Sequence, residues 1–241
     1  MSDGENSQAQ DFGSAAKQQV ARTQEWKAVA LAMVAGIVDG YGIITYHTYL
    51  SYMSGNTTQT GVRIGQRDFS AAAPSALAIV FFVGGSFVGS LLVYSNARRP
   101  HWLVFGLVAA SLALIIGFTQ LGFLSSWILI AVLSFAMGVM NLALSRVGAQ
   151  RVRLTFVTGT LHSLGEHLAL AVKHAPLPDS QGSWDTHTRR AGLLACIWGG
   201  FLAGALLSGA GASQLGAWIL LLPIALLLAL TLFDRNASEA V

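Results

Sequence analysis

Asp39 is the residue whose position most demands a chemical explanation. It stands between Val38 and Gly40, inside the apolar run that begins at Trp26. A carboxylate near the centre of a bilayer costs at least ~2.5 kcal/mol. Such a group must face the protein interior and be paired, hydrated or protonated. Two chemistries fit it: a proton carrier, or a structural hydrogen-bond acceptor for Asn141 or a turn amide.

Two polar motifs supply further groups. "YMSGNTTQTG" runs from Tyr52 to Gly61, and "FVTGTLHSLG" from Phe156 to Gly165. Each has an aromatic residue, one apolar residue, a small hydroxyl residue, Gly, then Asn or Thr. Ser54, Gly55, Asn56, Thr57, Thr158, Gly159 and Thr160 therefore join Asp39 and Asn141 as the candidate substrate-binding set. Glycine permits backbone conformations closed to other residues, so each motif reads as a polar turn opening a broken or re-entrant segment. Such backbone is tolerated at membrane depth beside protein or a water-filled cavity, and helix N-termini there can hold anions. The alternative is an ordinary surface loop.

Other chemistries find no support. In "HSLGEH", His162 and Glu166 share a helix face and His167 follows. Zinc enzymes of the His-Glu-x-x-His type need two histidines four apart, and this pattern lacks them. Cys196 is alone in an apolar run. No Gly-x-Ser-x-Gly motif occurs. We expect no enzyme, no metal and no cofactor.

The elements that position these groups are membrane helices. The chain has 241 residues, of which 10% are charged, against about 25% in soluble domains. Trp102 to Ser145 and Ala191 to Phe233 contain no charged residue, and each block can hold two spans of about 20 residues. Six spans result: Trp26–Tyr49, Ala71–Ser95, Trp102–Leu121, Phe123–Ser145, Ala191–Ala212 and Gln214–Phe233. Turns fall at Leu121-Gly122-Phe123 and Gly211-Ala212-Ser213. An eight-span alternative would push Arg98, Arg99 and the Arg146–Arg153 cluster outside.

With the N-terminus inside, 12 of the 14 Lys and Arg are cytoplasmic, and Arg63 and Arg67 are not. Both termini are then expected in the cytoplasm, in a bacterial inner membrane. Residues 1–25 read as a disordered tail, 26–122 as one membrane repeat, 123–235 as a second and 236–241 as a short tail. The basic residues form no aromatic-interleaved run, so nucleic acid is not an expected partner. The expected partners are the lipid bilayer and an unidentified small solute or ion; homo-oligomerisation is left open.

The two repeats are visible as ordered blocks. "GIVDGYG" in the first span corresponds to "GVMNLAL" in the fourth, which pairs Asp39 with Asn141, 102 positions apart. The polar motifs follow, 104 apart, then "GGSFVGSLL" and "GGFLAGALL", 115 apart. Three spans per half make the second half enter from the opposite side, as in many secondary transporters. The fold class expected is all-α, with six transmembrane helices in two inverted three-helix repeats. Glycines four apart let helix backbones approach closely.

The Gly-x-x-Asp-Gly, Met-Ser-Gly-Asn-Thr, Gly-x-x-Asn and Val-Thr-Gly-Thr-Leu motifs together resemble the YoaK-like family of bacterial polytopic membrane proteins, a domain of unknown function. The resemblance covers residues 28 to 232 and implies about six spans. It implies no substrate. The stretch "TYHTYL", with His47 and two tyrosines, stands where a smaller or more apolar stretch is expected. The function expected from architecture is a small-solute or ion transporter; the alternative is a non-transporting scaffold or partner subunit of a membrane complex.

Overall fold

A computed structural model describes residues 2–94, 102–122, 125–141, 146–147, 150–151 and 157–239. The described chain is almost wholly helical. Its elements are α1 (Ser2–Tyr46), α2 (Met53–Gly65), α3 (Phe69–Tyr94), α4 (Trp102–Leu121) and α5 (Ser126–Met140). A two-residue antiparallel pair follows, β1 (Arg146–Val147) with β2 (Gln150–Arg151). The chain ends with α6 (Val157–Val172), α7 (His187–Leu215), a 3₁₀ turn at Gly216–Leu220, and α8 (Leu221–Glu239). Ser95, Arg98, Arg99, Phe123, Ser145 and Arg153 lie outside the described residues.

Four helical stretches are long and apolar enough to cross a bilayer: Gln18–Tyr46, Phe69–Leu91, Leu103–Leu121 and His187–Phe233; Ser126–Met140 is a shorter apolar helix. The 47-residue stretch would extend ~70 Å at about 1.5 Å per residue, over twice the ~30 Å hydrocarbon core. It is broken at Gly216, whose φ of 55° is left-handed, so α7 and α8 are separate helices.

Three expectations are corrected here. Residues 2–25 are helical and continuous with the first span. The turn expected at Gly211–Ser213 is helical, because α7 runs to Leu215 before Gly216 turns the chain. The polar motifs are not turns. Ser54–Thr57 and Thr158–Thr160 form the first turns of α2 and α6, and neither Gly55 nor Gly159 has a positive φ. The break lies just upstream, at 47–52, where His47 has φ 54°.

α1 is the central helix. Its Leu31, Ile37 and Tyr41 are buried with Phe105, Leu112 and Ile115 of α4 and Leu133, Met137 and Met140 of α5. α3 lies at the periphery and turns Val80, Val83, Phe87 and Leu91 outward. A helix apolar on its outer face as well as its inner one suits lipid.

The packing is reciprocal. α1 packs most extensively on α7, and α5 on α3; α2 packs on α3, and α6 on α7; α8 meets α1, and α4 meets α5; α4 and α8 meet each other. Glycines make the two main seams. A Cβ on Gly36 would overlap the Phe201 carbonyl, and one on Gly138 the Phe82 carbonyl. A Cβ on Gly204 would overlap the Met33 carbonyl, and one on Gly85 the Phe135 carbonyl. Met33 and Phe135 are 102 apart, as are Gly36 and Gly138, whereas Gly85 and Gly204 are 119 apart. The seam glycines Gly85 and Gly204 are thus offset by one helical turn from the letter-by-letter alignment of "GGSFVG" with "GGFLAG".

Candidate functional site

The site begins with the break between α1 and α2. Asp39 is 3% exposed. Its Oδ1 accepts from the Leu50 amide at 2.7 Å and the Ser51 amide at 2.6 Å, and its Oδ2 accepts from the Ser51 hydroxyl at 2.6 Å. The break frees backbone amides, and a carboxylate on the preceding helix takes them. Asp39 thus accepts from amides of the break, as the sequence allowed, but its donors are not the polar motif's own side chains. Residues 50 and 51, just before the motif, do that work.

Asn56 holds the same break from the other side. Its Oδ1 accepts from the Tyr49 amide at 3.1 Å, and its Nδ2 donates to the Tyr49 carbonyl at 2.6 Å. The side chain is fully buried. Gly55 is needed because a Cβ there would fall 2.5 Å from the Tyr52 ring. Tyr49 and Tyr52 stack edge to face, with centroids 5.2 Å apart and planes at 89°.

A cavity of about 290 Å³ lies beside this corner. Asp39, Tyr49 and Tyr52 line it from the first half of the chain; Thr158 and Phe201 line it from the second. The structure thus brings Asp39 and Thr158 to one cavity. The other predicted residues lie elsewhere. Ser54 and Thr57 are exposed on α2, where Thr57 Oγ1 donates to the Met53 carbonyl and the Ser54 carbonyl accepts from Thr58. Gly55 lines a second groove along α2, of about 550 Å³, which also meets Tyr49 and Tyr52. Gly159 and the buried Thr160 sit in the first turn of α6, and Asn141 ends α5. Sequence reasoning missed Tyr52 and Phe201; Tyr49 stands in the unusual stretch "TYHTYL", and Tyr52 follows it closely.

A second polar cluster joins α6 to α7. Arg190 donates through Nε and Nη2 to Asp185 at 2.9 and 2.8 Å, and through Nη1 to both Asp179 oxygens at 3.0 and 3.1 Å. Burial pushes the Asp185 carboxyl up, but the Arg190 guanidinium and the Gln181 amide outweigh it and hold it below the ordinary range. His167 Nδ1 lies 2.9 Å from His187 Nδ1. Partial burial, then His187 and Arg190, hold the His167 imidazole below its ordinary value. Arg189 stacks over Trp184 at 4.4 Å and pairs with Glu25 at 2.7 Å. Among the described residues no cluster of three or more His, Cys, Asp or Glu fits a metal ion.

Residues 27–233 match the family described as Protein of unknown function (DUF1275). The chain belongs to this family. The DUF1275 match spans both halves and both walls of the cavity. Among relatives, the chain is 28% identical over 195 residues to UPF0700 transmembrane protein RA0705 of Rhizobium meliloti (strain 1021), covering 79% of this chain and 78% of that protein. It is 30% identical over 146 residues to UPF0700 transmembrane protein YoaK of Bacillus subtilis (strain 168), covering 58% of this chain and 64% of that protein. No solved structure matches. The apolar helices and the similarity to these transmembrane proteins together identify a transmembrane protein.

Proposed function

We propose that this protein carries a small solute or ion across the bacterial cytoplasmic membrane, using the cavity between its two halves. In this reading the chain crosses six times, as α1, α3 and α4 and then as α5, α7 and α8. The second set enters from the opposite side, so a two-fold axis in the membrane plane relates the halves. The reciprocal glycine seams support this, because each half lends its second long helix to the other's first. Inverted repeats around a broken helix recur in secondary transporters. The carrying observation is the cavity: a buried acid of one half shares it with a hydroxyl of the other. Relative movement of the halves would change access to it.

Proteoliposomes offered labelled cations, neutral solutes and anions, with and without a pH gradient, test the reading. Uptake of at least one class above that of protein-free vesicles is expected. It should be abolished by Thr158→Trp, which fills the cavity from the second half. Uptake no faster than in empty vesicles, or unaffected by the plug, rejects the carrier. Reporter fusions at residues 1 and 241 test the topology; termini on opposite sides would sink the six-span arrangement.

A further inference from the structure

We infer that the cavity binds a small organic cation, a quaternary or protonated amine on a compact apolar body. The inference takes the site from the proposed function but does not depend on transport.

Charge is the first reason. The three hydrogen bonds to Asp39 come from two amides and a hydroxyl. They satisfy lone pairs of the carboxyl group and bring no positive charge to it. Among the described residues no cationic side chain forms an ion pair with Asp39. A buried charge without a counter-ion is costly, and a cation entering the cavity offsets that cost. An anion would meet the carboxylate's repulsion, and the Leu50 and Ser51 amides that might hold it are already engaged by Asp39.

The walls narrow the class. Tyr49, Tyr52 and Phe201 line the same cavity as the acid, and aromatic rings attract cations most strongly in desolvated sites. Calcium or magnesium needs about six oxygen ligands. Asp39, Thr158 and two phenols among apolar side chains do not supply them. A volume of about 290 Å³ is at the small end of ligand sites, which run roughly 300–1,000 Å³.

Choline and its uncharged carbon isostere, 3,3-dimethyl-1-butanol, differ in charge but hardly in shape. Calorimetry on the purified full chain in detergent should give choline an affinity about tenfold higher or more, given the strength of a desolvated cation–aromatic contact. Asp39→Asn and Tyr52→Leu should each remove most of that preference. Tyr52→Leu leaves the Asp39 hydrogen bonds intact and decides the matter if Asp39→Asn fails to fold. No detectable choline binding, equal affinity for the two probes, or a preference that survives Tyr52→Leu overturns the inference. Choline binding without uptake into vesicles would instead remove the carrier and leave the site. Uptake of a neutral or anionic solute without choline binding would remove the cation and leave the carrier.

Discussion

Ser51 gives both its backbone amide and its hydroxyl to the Asp39 carboxylate, at 2.6 Å each. One side chain of α1 thereby holds the corner at which α1 stops. Ser51→Ala removes one of three bonds to the carboxylate and should cost about 1.5–3 kcal/mol, the range for hydrogen bonds to charged groups. Asp39→Ala strands the Leu50 and Ser51 amides as well, and should cost more. Chemical denaturation in detergent measures both. Equal losses would contradict a corner held by the acid.

Asn56→Ala should loosen the same corner independently. It leaves the Tyr49 amide and carbonyl without their side-chain partner in a buried place, at about 1–3 kcal/mol for each unsatisfied group. Asn56→Asp keeps the acceptor but sets a carboxylate oxygen against the Tyr49 carbonyl in a fully buried place, so it should cost at least as much as Asn56→Ala. Thermal melting of the three proteins tests the order.

Glycine positions separate the two possible registers of the seams. Gly85→Ala and Gly204→Ala place a Cβ on a carbonyl of the facing helix, whereas Gly84 has nothing nearer than 3.9 Å and Gly199 nothing within 4 Å. The first pair should lose folded yield and melting temperature; the second pair should match wild type. Equal damage from Gly84→Ala and Gly85→Ala would disprove the seam.

Acid should weaken the α6–α7 junction in two stages. His167 faces His187, Arg190, Glu166 and Asp179, and its folded pKa lies below the ordinary value. The unfolded chain then binds the proton more readily, so stability present at neutral pH is lost as pH falls from about 6.5. Asp185 is also held low, so its contribution is present above about 3.9 and is lost below that, through the depressed folded value. His167→Gln should flatten the drop in melting temperature between neutral pH and pH ~5.5 and leave the more acidic limb. A drop of unchanged size would exclude His167 as its cause.

Much of this was legible before the structure. Asp39 stands out by its cost in an apolar run, and Gly36 and Gly138, 102 apart in the sequence, each meet a facing carbonyl. The Gly-Gly blocks misled by one turn, since glycines four or five apart can be overlaid in either of two ways and only the facing carbonyl chooses. Gly and Asn favour turns locally, so the polar motifs look like turns in the sequence; in the first of them the burial of Asn56 against Tyr49 fixes a helix start instead. The partners of Asp39 lie just upstream of the polar motif: two are backbone amides, which carry no letter, and the third is the Ser51 hydroxyl. His167 was weighed with its neighbours His162 and Glu166, while its partner His187 lies twenty residues on.

The corner at Asp39 closes over only 12 residues, while the Ser208 hydroxyl reaches the Ile37 carbonyl across 171. A short loop closes at little entropic expense. As the chain emerges from the ribosome, the acid therefore finds its donors once residue 51 is made. The central helix can wait in the insertion machinery with its charge already housed, long before α7 is synthesised to cover its glycines. The polar corner is thus a local contact, and the glycine seam of the central helix is the long-range, apolar one.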